Sequence, residues 1–151
     1  MPDSDFDRQH GRYLEDISIG MKEVFTKTIT DADVVMFAGV SGDNNPLHFS
    51  EEFAGQTRFQ GRIVHGMLTA SLLSTLVGTR LPGPGGAYMS QELKFLKPVR
   101  VGDTVTAEMT VVEIDHDKQR AYLDALCRVK GEPVVIGRGV VWVPRRAEQP
   151  A

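Results

Sequence analysis

A chain of 151 residues with a formal charge of −3 has the length of one domain, can bury a substantial core, and lacks the basic excess of a nucleic-acid binder. Its single cysteine, Cys127, excludes an intrachain disulfide and a multi-cysteine metal site, and its place in an alternating run reads as a small apolar core residue. No apolar stretch reaches membrane-spanning length and the acidic N-terminus has no apolar signal core, so a cytoplasmic protein with no membrane and no nucleic acid among its partners is expected.

Residues 1–151 read as one domain with its core at about 13–143. The first ten or so residues form a loose polar arm and residues 145–151 a loose polar tail. Residues 23–30, with Val24, Phe25 and Ile29, have the content of a first strand. Thr30 can cap a helix, with Asp33 three positions on in capping-box style; that helix carries Val34, Val35, Phe37 and Ala38 and breaks between Gly39 and Gly42. The stretch Ser41-Gly42-Asp43-Asn44-Asn45-Pro46-Leu47-His48 is too rich in Gly, Asn and Pro for regular structure. Pro46 stiffens it by fixing one dihedral and forcing Asn45 towards an extended conformation.

From Gly66 to about Thr79 apolar or small residues occupy every face, the pattern of a helix buried all round, ended by Gly78 and Pro82. Residues 81–86 are a loop by their Pro and Gly content. Strands follow at 88–96, 104–114, 121–130 and 134–143, with hairpin turns at 115–118 and at Gly131-Glu132. The architecture is α+β: an antiparallel sheet, made of a meander of four strands plus the first strand, wrapped around one long central helix. One curled sheet cannot cover all of that helix, so association through the sheet edge into a dimer is expected.

Asp43 and His48 place an acid and an imidazole five positions apart, the minimum equipment for moving protons to and from a small molecule. The plain alternative is that Asp43 only satisfies turn N–H groups and His48 is a surface imidazole. His65-Gly66 opens the long helix. Either His65 caps it and Gly66 eases the chain's entry, or the Gly66 N–H, backed by the helix dipole, is a donor for an oxyanion. Ser74, two turns along, either bonds back to its own helix or serves a site, and it lacks a nucleophile elbow for serine hydrolase chemistry. None of the four histidines has the paired spacing of a zinc site, so no metal and no cofactor are expected. Lys94, Lys97 and Arg100 suit either a solvated strand face or the rim of a phosphate-rich ligand.

Gly42-Asp43-Asn44-Asn45-Pro46-Leu47-His48 resembles the signature of the MaoC-like, or "hydratase 2", (R)-specific enoyl-CoA hydratases. Ile63-Val64-His65-Gly66-Met67-Leu68 resembles the family's central helix entry; the patches at Tyr13-Leu14-Glu15-Asp16, Ile19-Gly20 and Val101-Gly102-Asp103-Thr104-Val105 extend the likeness across residues 13–143. The resemblance implies a hot-dog fold, normally dimeric, acting on trans-2-enoyl thioesters. Asp43 and His48 would be the catalytic pair, Gly66 the donor to the thioester oxygen and Ser74 a supporting hydroxyl. Val77, about one turn beyond Ser74, is the candidate for limiting acyl chain length. The substrate implied is an acyl-CoA thioester. The competing readings are a dehydratase acting on acyl-carrier-protein thioesters, a hot-dog thioesterase, and a non-catalytic acyl-binding subunit.

Overall fold

The computed structural model describes residues 4–146. In chain order its elements are α1 (Asp5–Gln9), a 3-10 turn at Leu14–Asp16, β1 (Lys22–Thr28), α2 (Asp31–Ser41), α3 (Pro46–Phe49), α4 (Glu51–Gly55), α5 (Gly66–Thr79), β2 (Ala87–Phe95), β3 (Thr104–Asp115), β4 (Arg120–Val129) and β5 (Glu132–Trp142). The arm is more ordered than its polarity implies. Ser4 caps α1 by accepting from the Asp7 N–H, and Gly11 and Arg12 donate backbone bonds to Pro84 and Pro82 of the Gly/Pro loop at 2.7 Å each. At the other end, Arg146 grips Asp16 at 2.8 and 2.9 Å. Residues 1–3 and 147–151, the remainder of the expected arm and tail, lie outside the described residues.

All five strands form one antiparallel sheet in the order β1-β3-β4-β5-β2. The expected four-strand meander is therefore only a three-strand one, β3-β4-β5. The reason lies between β2 and β3, where Pro98 and seven neighbours replace a tight turn and let β2 cross to the far edge beside β5, while β1 takes the edge beside β3. The β4–β5 turn is centred on Lys130 and Gly131, one residue earlier than the Gly131-Glu132 expected. Both residues have left-handed φ values, +52° and +80°, as a two-residue hairpin with right-handed strand twist requires.

One face of the sheet is apolar by alternation. Val105, Ala107, Met109 and Val111 of β3 and Ala121, Leu123, Ala125 and Cys127 of β4 are all buried, against Leu68, Leu72, Leu73, Leu76 and Val77 of α5. Each large side chain removed from water in this way contributes about 1.5–3 kcal/mol. The opposite face of α5 departs from the all-round burial read from its sequence. Met67, Ser74 and Gly78 are exposed, because a single sheet covers only one side of the helix. α2 begins as expected: the Thr30 hydroxyl accepts from the Asp33 N–H and the Asp33 carboxylate from the Thr30 N–H. That second bond holds the Asp33 carboxyl below its ordinary range.

Candidate active site

α2 stops because Gly42 takes a left-handed φ of +79° and returns its N–H to the Ala38 carbonyl at 2.8 Å, a turn open to glycine at little cost. The next residues are set by short polar links. The Asp43 N–H donates to Ser41 Oγ at 3.1 Å and the Asn45 N–H to Asp43 Oδ1 at 3.3 Å. The Asn45 side chain then caps α3 by accepting from the Leu47 N–H, with Pro46 in the first helical position, where its missing N–H costs nothing. The expectation of an irregular stretch holds for residues 42–45 but not beyond. His48 rides on the one-turn helix α3.

Its surroundings leave His48 little freedom. The residue is 7% exposed, and its Nδ1–H donates to the Ile63 carbonyl at 2.7 Å; a carbonyl can only accept, so Nε2 is the ring nitrogen left for other work. Arg62 holds the same helix from behind, with Nε on the His48 carbonyl at 2.7 Å and its far nitrogen on Asp31 of α2. Asp43, by contrast, is exposed.

His65 precedes α5 but makes no side-chain cap. Its ring lies 3.8 Å from that of His48, centroid to centroid. Gly66 follows as the first residue of α5, where backbone N–H groups have no intrahelical acceptor and the helix dipole is positive. Asp43, His48, His65 and Gly66 border one cavity of about 390 Å³. The rest of its wall is largely apolar, with Val64, Phe95, Val99 and Val135 among its residues, and the cations of Arg58 and Lys97 also line it.

The fold thus brings together three of the residues expected at a site, Asp43, His48 and Gly66. It does not bring Ser74 or Val77 to the cavity. Ser74 stands on the exposed side of α5, and Val77 is 3% exposed within the core on the other side, because positions 74 and 77 are eight and eleven residues along a helix that enters the cavity only by its first turn. Of the basic cluster, Lys97 lines the cavity and also pairs with Glu132, whereas Arg100 is committed to the carbonyls of Phe59, Gly61 and Arg62 and so shapes the loop before α5. Thr69 and Arg58 were not singled out by sequence. Thr69 is one turn from His65 on the same helix face, a spacing that could have marked it; Arg58 carries no such signal.

Asp43, His48 and His65 each offer a ligand atom, all within 4.8 Å of one another. Histidine spacing concealed this grouping because its members come from three separate elements. The set has the donors of a transition-metal site. It equally has what proton transfer needs: a carboxylate and a ring nitrogen converging on one small volume, with backbone donors at a helix N-terminus beside them.

The family model described as "MaoC like domain" matches residues 16–128. The chain is 47% identical over 136 residues to the 3-hydroxybutyryl-CoA dehydratase of Methylorubrum extorquens, spanning 90% of this chain and 87% of that one. It is 47% identical over 134 residues to the (R)-specific enoyl-CoA hydratase of Rhodospirillum rubrum, spanning 89% and 93%. Among solved structures, an (R)-hydratase from A. caviae involved in PHA biosynthesis superposes with a TM-score of 0.81 at 44% identity, over 85% of this chain and 98% of that one.

Proposed function

Since the chain belongs to the MaoC-like family and has the hot-dog fold of its structural neighbours, we propose that it is a hydro-lyase that adds water reversibly to trans-2-enoyl-CoA, giving (R)-3-hydroxyacyl-CoA. The observation that carries this reading is the convergence of the Asp43 carboxylate and the His48 ring on one cavity that also contains Gly66.

In the hydration direction, Asp43 takes a proton from a water molecule as its oxygen adds to C3 of the enoyl group. The electron pair of the C2=C3 bond shifts to C1–C2 and the carbonyl pair onto the thioester oxygen, where the Gly66 N–H meets the developing enolate charge. A proton is then delivered to C2 from the Asp43–His48 pair, which ends the cycle with the proton count it began with. The bond from His48 Nδ1 to Ile63 keeps Nε2 turned to this work. Dehydration is the same path reversed.

Arg58 and Lys97 on the cavity wall suit the phosphates of a CoA carrier. A homodimer is the second part of the proposal: the uncovered face of α5 and the two free sheet edges, β1 and β2, support it. No helix among the described residues is long and apolar enough to cross a membrane, and we place the enzyme in the cytoplasm with its CoA substrate. The test is purified protein with crotonyl-CoA, followed at the enoyl absorbance and by chiral analysis. Loss of the enoyl band with (R) product is expected. Release of free thiol, or an (S) product, would overturn the reading.

A further inference from the structure

We propose that His65 is a positioning residue that sets the Asp43 turn against the first turn of α5, and so fixes where the base stands relative to the Gly66 donor; this rests on the acid/base reading of Asp43 and His48 above.

His65 is 2% exposed, and its Nε2–H donates to the Asp43 backbone carbonyl at 2.8 Å. Among the described residues, the other hydrogen bonds of Asp43 are to Ser41 and Asn45 within the same exposed turn. The link from His65, 22 positions away, is the one long-range hydrogen bond Asp43 makes among the described residues. The ring is held in turn by His48 of α3 at 3.8 Å and by Phe37 of α2 and Phe49 of α3 at centroid distances of 4.9 and 6.1 Å. Gly66 is the next residue. One imidazole therefore fixes the proton-transfer turn and, through a single peptide unit, the backbone group that receives the negative charge.

A role in packing alone does not account for this side chain. Its buried Nδ1 has no hydrogen-bond partner among the described residues, a burial of polar surface that an apolar residue of similar size would avoid. The imidazole contributes the bond to Asp43. A displacement of about 1 Å in a catalytic group can cost about 10²-fold in rate.

His65→Leu removes the donor, and His65→Gln restores one, since the glutamine amide nitrogen can occupy the place of Nε2. With crotonyl-CoA, His65→Leu should lose about 10²-fold in kcat with KM within about threefold of wild type, and His65→Gln should recover at least tenfold of that loss. Melting temperatures are measured alongside. If His65→Leu does not fold, His65→Gln is compared with His65→Asn, whose amide is one carbon shorter, and only the former should stay active. Wild-type kcat in His65→Leu, equal impairment in donor-restoring and donor-lacking variants, or a loss confined to KM overturns the proposal. Asp43→Asn is assayed in parallel: if it keeps turnover the acid/base reading itself fails, whereas an inactive Asp43→Asn beside an active His65→Leu refutes only the role of His65.

Discussion

The ring of Phe95 lies so close over Gly66 that a Cβ on the glycine would stand 2.7 Å from it. This close approach, not a left-handed dihedral, is what favours glycine at the mouth of α5. Phe95 is half exposed and can swing aside, so Gly66→Ala should fold with a melting temperature within a few degrees of wild type. The displaced ring and the new methyl group enter the cavity beside the backbone donor, and kcat/KM should fall by about 10²-fold. Unchanged kinetics in a folded variant would separate Gly66 from the chemistry.

Asp43→Asn and His48→Gln should each retain the fold and lose about 10²–10⁴-fold in hydration. Asp43 is exposed and, among the described residues, is hydrogen-bonded only to Ser41, Asn45 and His65, so its variant should melt close to wild type. His48 is buried and bonded to Ile63, so its variant should also lose about 1 kcal/mol of stability. Circular dichroism and crotonyl-CoA turnover check both.

Proton transfer by the pair requires its carboxylate and ring nitrogen to be free of metal, so prolonged treatment with EDTA should leave turnover unchanged. Added zinc ions should inhibit, because Asp43, His48 and His65 present ligand atoms within 4.8 Å and their carboxylate and imidazole groups are suited to that ion. Loss of activity on chelation, restored by a metal, would contradict the proposed mechanism.

Arg58→Glu places a repelling charge on the cavity wall. It should raise KM for crotonyl-CoA with little change in kcat, and the effect should shrink in high salt. A KM that does not respond would take Arg58 out of carrier binding.

Burial pushes the Cys127 thiol from 9.0 up to about 12 and the Tyr88 hydroxyl from 10.0 to about 12. Both groups are neutral at neutral pH in either state, and in each the folded value is the raised one. Their contribution to stability is therefore complete below the unfolded values and is lost as the pH climbs from about 9 towards 12. Denaturant midpoints should fall over that window, and Cys127→Ala should delay the onset towards 10, where Tyr88 begins. Native protein at pH 8 should leave its thiol unreacted with a disulfide reagent, while the denatured chain yields one per molecule.

Local signals carried the sequence reading. Thr30 with Asp33 located the start of α2, and the apolar run from Gly66 located α5 to its first and last residues, since both depend on neighbours within one or two turns. The alternation in β3 and β4 gave the apolar face, Cys127 included, but not the burial of Glu108 on the other face, where it lies between Lys22 and Arg128. What failed was non-local. Nothing in residues 88–96 says that the partner of β2 is β5 and not β3. Nor does anything in Asp43 announce that its carbonyl accepts from a ring 22 positions on. The same limit explains Ser74 and Val77: helical spacing places them along α5, but only the packed fold shows that one turn of that helix reaches the cavity.

The strand order also governs how this chain must come together. β3, β4 and β5 can zip by local hairpins as soon as they exist, whereas β1 pairs Thr28 with Thr104 across three-quarters of a hundred residues of intervening chain, and β2 waits for the last strand. Closing such loops is slow because the entropy is lost before the pairing is gained. During synthesis both edge strands therefore leave the ribosome before the strands they pair with. The three-strand hairpin unit made last becomes the template on which everything made earlier is assembled.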